Sequence, residues 1–155
     1  MEDQLDHPGV VIFPPIIIGL ALLSEIGLHW LWPLPISVRS VALVLGTVLS
    51  ILGVGSAAWG RKVMVQAGTN VSPFKPSTAI VMNGPFRFSR NPLYVGITSL
   101  FIGLSLLIGT WWGFILIVPT TLILHYGVIL REERYLEQKF GDGYLTYKNT
   151  VRRYL

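Results

Sequence analysis

Four apolar runs in this sequence are long enough to cross a lipid bilayer as helices. They cover approximately residues 11–32, 40–59, 93–109 and 111–130. About 20 residues at helical rise are needed to cross the roughly 30 Å of hydrocarbon in a bilayer. Because backbone polar groups inside a bilayer must be hydrogen-bonded within the chain, we predict an all-α integral membrane protein with about four transmembrane helices.

The composition agrees with this class and excludes several kinds of site. Of 155 residues, 52% are hydrophobic and only 13% are charged, far from the average of a soluble domain. The chain has no cysteine, so a thiolate nucleophile or thiolate metal site is excluded. The histidines, His7, His29 and His125, are too scattered to indicate a metal cluster, and we predict no metal. We interpret residues 1–155 as a single membrane-embedded domain.

Basic residues lie almost entirely on one side of the predicted spans. Of the twelve lysines and arginines, only Arg39 falls on the other side. The positive-inside rule therefore places both termini and the central loop, about residues 60–91, in the cytoplasm. Anionic lipid headgroups explain the net charge of +4, and no nucleic-acid partner is implied.

The first span carries two polar residues, Glu25 and His29, one helical turn apart. Residues at i and i+4 share a helix face, so we expect the two side chains to pair and to turn toward the bundle interior. A structural role is favoured, because Glu25 lies late in its span, near the hydrated outer end.

Small residues recur at three- and four-residue steps in the second and third spans. They predict close helix–helix packing, since association in lipid depends on close approach of the backbones. The residues concerned are Gly46, Ser50, Gly53, Ala57, Gly96, Ser99 and Gly103.

The polar segments between and after the spans have their own patterns. In the central loop, residues 78–82 could form a short extended segment before the turn signal Asn83-Gly84. After the last span, residues 131–140 have an amphipathic helical pattern, and Gly141 is well placed as a C-terminal cap. We predict that this helical tail lies on the membrane surface and folds back over the central loop.

Two adjacent acids, Glu132 and Glu133, stand where the fourth span ends. Neighbouring like charges at this point require neutralisation. One possibility is pairing with Arg131, Arg134 or Arg90, which would be purely structural. The other is a cationic ligand, which a carboxylate can bind by charge-assisted hydrogen bonds.

The order of these polar blocks resembles the isoprenylcysteine carboxyl methyltransferase and phospholipid methyltransferase superfamily, small integral membrane enzymes that use S-adenosylmethionine. The similarity covers about residues 78–154. The matching residues are Thr78, Ala79, Ile80, Val81, Gly84, Phe86, Arg90, Asn91, Pro92, Tyr94, Gly96, Glu132, Glu133, Phe140, Gly141, Tyr144 and Tyr147.

The resemblance implies a site for S-adenosyl-L-methionine within about residues 60–155. Asn91 replaces the histidine usual in the family, so it keeps hydrogen-bonding capacity without a titrating proton. The cofactor-binding positions that the resemblance implies are Thr78, Ala79, Ile80, Val81, Phe86, Asn91, Pro92, Leu93, Tyr94 and one of Glu132 and Glu133.

Two further residues are candidates for catalysis. Arg90 is expected to act as an electrostatic or positioning residue. His125 is a candidate for contacting the methyl acceptor, and the alternative for it is a helix-packing histidine bonded to a backbone carbonyl. Family members acting on isoprenylcysteine carry an arginine one turn before the acidic pair, where this chain has Val128 and Ile129.

The expected acceptor is therefore a membrane-partitioning, lipid-like small molecule rather than a prenylated peptide carboxylate. Two other interpretations remain open at this point. Membrane sterol reductases that use NADPH resemble the same C-terminal pattern, although they are typically larger. A non-enzymatic membrane packing protein is the third possibility, with the glutamates merely offsetting neighbouring arginines.

Overall fold

A computed structural model describes residues 6–155 of the chain. Within this range the protein is helical, and its one β-type contact is an isolated antiparallel bridge between Pro35 and Thr110. The prediction of an all-α fold is confirmed. The helices in chain order are α1 (Pro14–Leu31), α2 (Arg39–Gln66), α3 (Pro92–Ile108), α4 (Trp112–Leu124), α5 (Leu130–Phe140) and α6 (Asp142–Thr150).

Three helical stretches of the described residues are long and apolar enough to cross a membrane. They are Pro14–Leu31, Arg39–Gln66 and the continuous stretch Trp112–Phe140, in which a π-helical turn (His125–Ile129) joins α4 to α5. The 17 residues of α3 are apolar but shorter, near the lower limit for a span. The protein is an integral membrane protein, and about four spans agree with its helices.

Helix α2 is longer than the sequence pattern predicted. It continues past the predicted end at residue 59 as far as Gln66, so the predicted loop boundary at residue 60 is wrong and the loop begins at residue 67. The charged residues Arg61 and Lys62 do not end the helix because long basic side chains are good helix formers that can reach out of the membrane edge.

Helices α2 and α3 pack with their backbones in close contact. A Cβ atom placed on Gly53 would lie 2.6 Å from the carbonyl oxygen of Gly96, and one placed on Gly96 would lie 2.8 Å from that of Gly53. The same holds further along the pair, where a Cβ on Gly46 would lie 2.8 Å from the carbonyl oxygen of Gly103. The close packing predicted from the small residues is confirmed.

Arg39, the lone basic residue on its side of the bundle, caps the end of α3. Its guanidinium donates hydrogen bonds to the carbonyl oxygens of Leu106 (3.2 Å) and Leu107 (2.7 Å). The last carbonyls of a helix have no partner within the helix and carry partial negative charge. Gly109 follows with φ of 83°, which turns the chain directly into α4.

We expect Arg39→Gln to lower the free energy of unfolding by roughly 0.5–1 kcal/mol, because the cation at the α3 terminus is lost. Unfolding in mixed detergent micelles with increasing dodecyl sulfate measures this. Arg61→Gln is the control, since Arg61 makes no hydrogen bond or ion pair to residues 6–155. Equal shifts in the two variants would contradict a specific cap.

Glu25 is fully buried, with 0% of its surface exposed. Its Oε2 accepts a hydrogen bond from the Ser105 hydroxyl of α3 at 2.9 Å. His29 makes no hydrogen bond to Glu25, and its buried Nδ1 has no partner within residues 6–155. The predicted Glu25–His29 pair and the hydrated position of Glu25 are therefore wrong. A carboxyl turned toward Ser105 gains an interhelical hydrogen bond where no water is available.

Candidate active site

A cavity of about 220 Å³ lies where α3 begins and where the chain passes from α4 into α5. One ordered water needs only roughly 10–15 Å³ on the same measure, so the cavity has room for a small molecule. Five parts of the chain line it: Pro8 with the start of α1, Met64 of α2, the loop at residues 69–81, residues 86–97 and the pair α5–α6. Stretches distant in sequence thus meet at this point.

The tail folds back over the central loop, as predicted. The hydroxyl of Tyr147 in α6 donates a hydrogen bond to the carbonyl oxygen of Phe86 at 2.7 Å. The backbone N–H of Arg90 donates to the carbonyl oxygen of Arg152 at 2.9 Å. These bonds hold the tail against the loop beside the cavity.

Most of the residues predicted from the sequence line this cavity. Thr78 does not, since its hydroxyl donates to the carbonyl oxygen of Gly68 at 2.8 Å and fixes the loop instead. His125 does not either: its Nδ1 lies 2.5 Å from the hydroxyl of Tyr154, and neither residue lines the cavity. The predicted residues that line the cavity are Ala79, Ile80, Val81, Phe86, Arg90, Asn91, Pro92, Leu93, Tyr94, Glu132 and Glu133.

The loop strip at residues 79–81 presents free backbone groups. Ala79, Ile80 and Val81 form no strand, and their N–H and C=O groups make no hydrogen bond to residues 6–155. The strip is nevertheless held in place, because the backbone N–H of Thr78 donates to Thr69 Oγ1 at 3.0 Å. Backbone polar groups beside a cavity normally require a partner, so this strip is suited to binding a ligand edge.

Glu133 is the centre of a buried ion cluster. It is only 4% exposed. Arg153 donates to it through Nε (3.1 Å) and Nη2 (2.9 Å), Arg90 Nη2 lies 3.3 Å away, and Asn91 Nδ2 donates at 3.3 Å. The hydrogen bond to Glu133 raises the pKa of the Arg153 guanidinium. This carboxylate is therefore fully engaged in joining the loop, α5 and the tail.

The partners of Glu133 differ in part from those considered from the sequence. Arg90 pairs with it as anticipated. Arg131 and Arg134 do not, because they lie on the opposite face of α5 and line a separate groove. Arg153 takes their place, and sequence reasoning missed it because 20 residues and a second helix separate it from Glu133.

Glu132 has a different environment from its neighbour. Its Oε1 accepts a hydrogen bond from the hydroxyl of Tyr94 at 2.7 Å. Within residues 6–155 no lysine or arginine forms an ion pair with it, and Oε2 makes no hydrogen bond. Of the two acids, Glu132 therefore has an oxygen left to accept a hydrogen bond from a ligand.

Arg90 lies in the cavity wall, and its guanidinium is only partly hydrogen-bonded. Its Nη1 donates weakly to the carbonyl oxygen of Lys148 at 3.5 Å, while its buried Nε has no hydrogen-bond partner within residues 6–155. A buried guanidinium N–H without a partner is unfavourable in the folded state.

Two tyrosines that sequence reasoning did not assign to the site, Tyr144 and Tyr147, are buried in the cavity wall. Burial raises the pKa of both phenols, so both remain neutral hydrogen-bond donors at physiological pH. Their three-residue spacing just after the Gly141 cap is the sequence signal from which they could have been predicted. Phe13 was also missed; it packs against Phe74 of the loop with ring centroids 6.2 Å apart.

These features define a small helical membrane protein with a cavity at one end of its bundle. A family model described as phospholipid methyltransferase matches residues 41–143. The match covers more than half of the chain, and the protein belongs to the phospholipid methyltransferase family, within the superfamily of membrane methyltransferases that the sequence resembled. The match ends before Tyr147 and Arg153, so the ion cluster includes a residue beyond the matched range.

Comparison with individual proteins adds one relative. An uncharacterized protein of Haemophilus influenzae is 38% identical over 66 residues, which cover 41% of this chain and all of that protein. No solved structure matches the chain.

Proposed function

We propose that this protein is an S-adenosylmethionine-dependent methyltransferase that acts on a lipid-like acceptor at the cytoplasmic face of the membrane. The observation that carries the proposal is the cavity between the loop strip and α5–α6, beside which Glu132 Oε2 and the backbone groups of residues 79–81 have unused hydrogen-bonding capacity. Membership of the family supports methyl transfer as the reaction. The distribution of basic residues supports the cytoplasmic orientation.

The residues of the cavity suit this cofactor group by group. The carboxylate of Glu132 can accept hydrogen bonds from an ammonium or from ribose hydroxyls, and the positive charge of Arg90 in the cavity wall suits a carboxylate. The free backbone groups at residues 79–81 can bind the edge of an adenine. The side chains of Ile80 and Phe86 supply the apolar walls that such a ring requires.

When bound, S-adenosylmethionine supplies a methyl group activated by a sulfonium. The displacement is in line and needs little proton transfer, so the protein acts mainly by alignment and by exclusion of water. The hydrogen bond from Tyr94 orients the Glu132 carboxylate, and the Glu133 cluster fixes the loop that carries Arg90. Apolar side chains of Phe13, Ile97 and Leu136 limit access of water to the cavity.

The acceptor is proposed to approach from the bilayer. The cavity extends to the first residues of α1 and α3, where Phe13 and Ile97 line it. Phe13 is also 39% exposed. An amphiphilic acceptor can keep its apolar part in the lipid beside these residues while its reacting atom enters the cavity.

Binding of S-adenosylhomocysteine to the detergent-solubilised protein, measured by titration calorimetry, tests the proposal. We expect micromolar affinity, and Glu132→Gln is expected to weaken it by about tenfold because a charged hydrogen-bond acceptor is lost. Glu137→Gln is the matched control: it removes the same charge from α5, but Glu137 pairs with Lys148 outside the cavity. Binding of NADPH instead would favour a reductase, and binding of neither nucleotide a non-enzymatic protein.

A further inference from the structure

Helix α5 has a second face that takes no part in the cavity described above. Glu132, Glu133 and Leu136 face that cavity, whereas Arg131, Arg134 and Gln138 line a separate open groove. At 3.6 residues per turn the two sets point in nearly opposite directions. The groove has a volume of about 810 Å³, and residues 6–9 form its other wall.

The groove retains positive charge after its internal contacts are counted. Lys139 and Asp6 neutralise each other, with Nζ 2.6 Å and 2.8 Å from the two carboxylate oxygens. Arg131 uses one N–H on the carbonyl oxygen of Gly9 at 2.9 Å, and Arg134 makes no hydrogen bond or ion pair to residues 6–155. Two exposed guanidiniums one turn apart therefore face the groove.

The groove changes from apolar to cationic along the helix axis. Tyr126 and Leu130 line it on the side of the transmembrane helix, and Tyr126 is 64% exposed. Arg134 follows eight residues after Tyr126, which corresponds to roughly 12 Å along the helix. A lipid whose acyl chains lie beside Tyr126 would therefore have its headgroup near Arg134.

We propose that this groove binds one anionic phospholipid of the surrounding bilayer as a ligand that is not methylated. The phosphate lies between Arg131 and Arg134, whose forked guanidiniums match its oxygens. The first carbons of the acyl chains lie along Tyr126 and Leu130. A bilayer lipid is favoured over a soluble anion because a soluble anion would leave the apolar end of the groove, at Tyr126 and Leu130, without a partner.

This inference does not rest on the proposed methyl transfer. Of the groove residues, only Pro8 also lines the cavity, and none of the cofactor-binding candidates contributes to the groove. Loss of lipid binding should therefore leave binding of S-adenosylhomocysteine unchanged, which keeps the two proposals separable.

Native mass spectrometry of the full chain in detergent, with phosphatidylglycerol or phosphatidylcholine added at equal concentrations, tests the site. We expect one phosphatidylglycerol to be retained in preference to phosphatidylcholine. The variant Arg131→Gln/Arg134→Gln should lower this preference by about fivefold per arginine removed. Arg61→Gln/Lys62→Gln is the matched control, because it removes two basic residues at the end of α2, away from the groove.

Several outcomes would overturn the proposal. Equal loss of preference in the two double variants would mean that charge acts diffusely, without a site. Displacement of the lipid by millimolar inorganic phosphate would mean that the groove selects a free anion. Retention of both lipids equally by the unmodified protein would exclude a site for an anionic headgroup.

Discussion

Replacing Glu133 with alanine is expected to lower the free energy of unfolding by about 3–5 kcal/mol, a large fraction of the stability of a protein of this size. The carboxylate is nearly inaccessible and joins Arg90, Asn91 and Arg153. Its removal leaves the Arg90 guanidinium buried, with 7% of its side chain exposed, and without its counter-ion. A buried charge without a partner destabilises the folded state more than the intact pair stabilises it.

Dodecyl sulfate-driven unfolding in mixed micelles measures this effect. Glu137→Ala is the matched control on the same helix, because its partner Lys148 and Glu137 itself are each about one-third exposed. A partly exposed pair of this kind contributes roughly 0–1 kcal/mol. Comparable destabilisation by the two variants would show that the Glu133 cluster is not the element that holds the tail to the loop.

The second large effect is expected from Gly53→Val in α2, which should destabilise the bundle by about 3 kcal/mol. A Cβ at this position would lie 2.6 Å from the backbone nitrogen of Leu100 and 2.6 Å from the carbonyl oxygen of Gly96. Both are backbone atoms, so no side-chain rotation relieves the overlap and α3 must move away. Displacement of tightly packed elements typically costs 1–3 kcal/mol or more.

Gly55→Val is the control for this test, because it separates the effect of valine on helix packing from its effect on helix propensity. Gly55 lies two residues along the same helix, and a Cβ there would meet nothing within 4 Å. The substitution is the same, so a change caused by valine in a helix would appear in both variants. We expect Gly55→Val to shift the unfolding transition by less than about 0.5 kcal/mol. A large loss in this variant would contradict the packing argument.

The fold was largely predictable because the bilayer imposes strict requirements on a chain. Apolar length alone indicated the spans, and the steps between Gly46, Gly53, Gly96 and Gly103 indicated which helices approach closely. The end of α2 was missed because the charged residues Arg61 and Lys62 lower the hydropathy of the sequence, as loop residues do. Nothing in their backbone requires the helix to end there. Glu25 was misassigned because its partner Ser105 is distant in sequence and lies on another helix.

The site was predictable only in part, because some of its residues are distant in sequence and meet only in the folded chain. The cavity-lining residues 79–81, Phe86, residues 90–94 and the adjacent acids Glu132 and Glu133 were predicted because their motifs are local and carry a family resemblance. Arg153 was not predicted, because nothing in the sequence distinguishes it from the other basic residues of the tail. Its pairing with Glu133 is seen only once the tail is folded. His125 was proposed for its chemistry alone, and the π-helical turn places it beside Tyr154, outside the cavity.

The meeting of residues 89–91 with residues 152–153 has a consequence for biosynthesis. Residue 153 leaves the ribosomal exit tunnel only after all the hydrophobic helices before it have been translated. The Glu133 cluster therefore cannot be completed while those helices are still being synthesised.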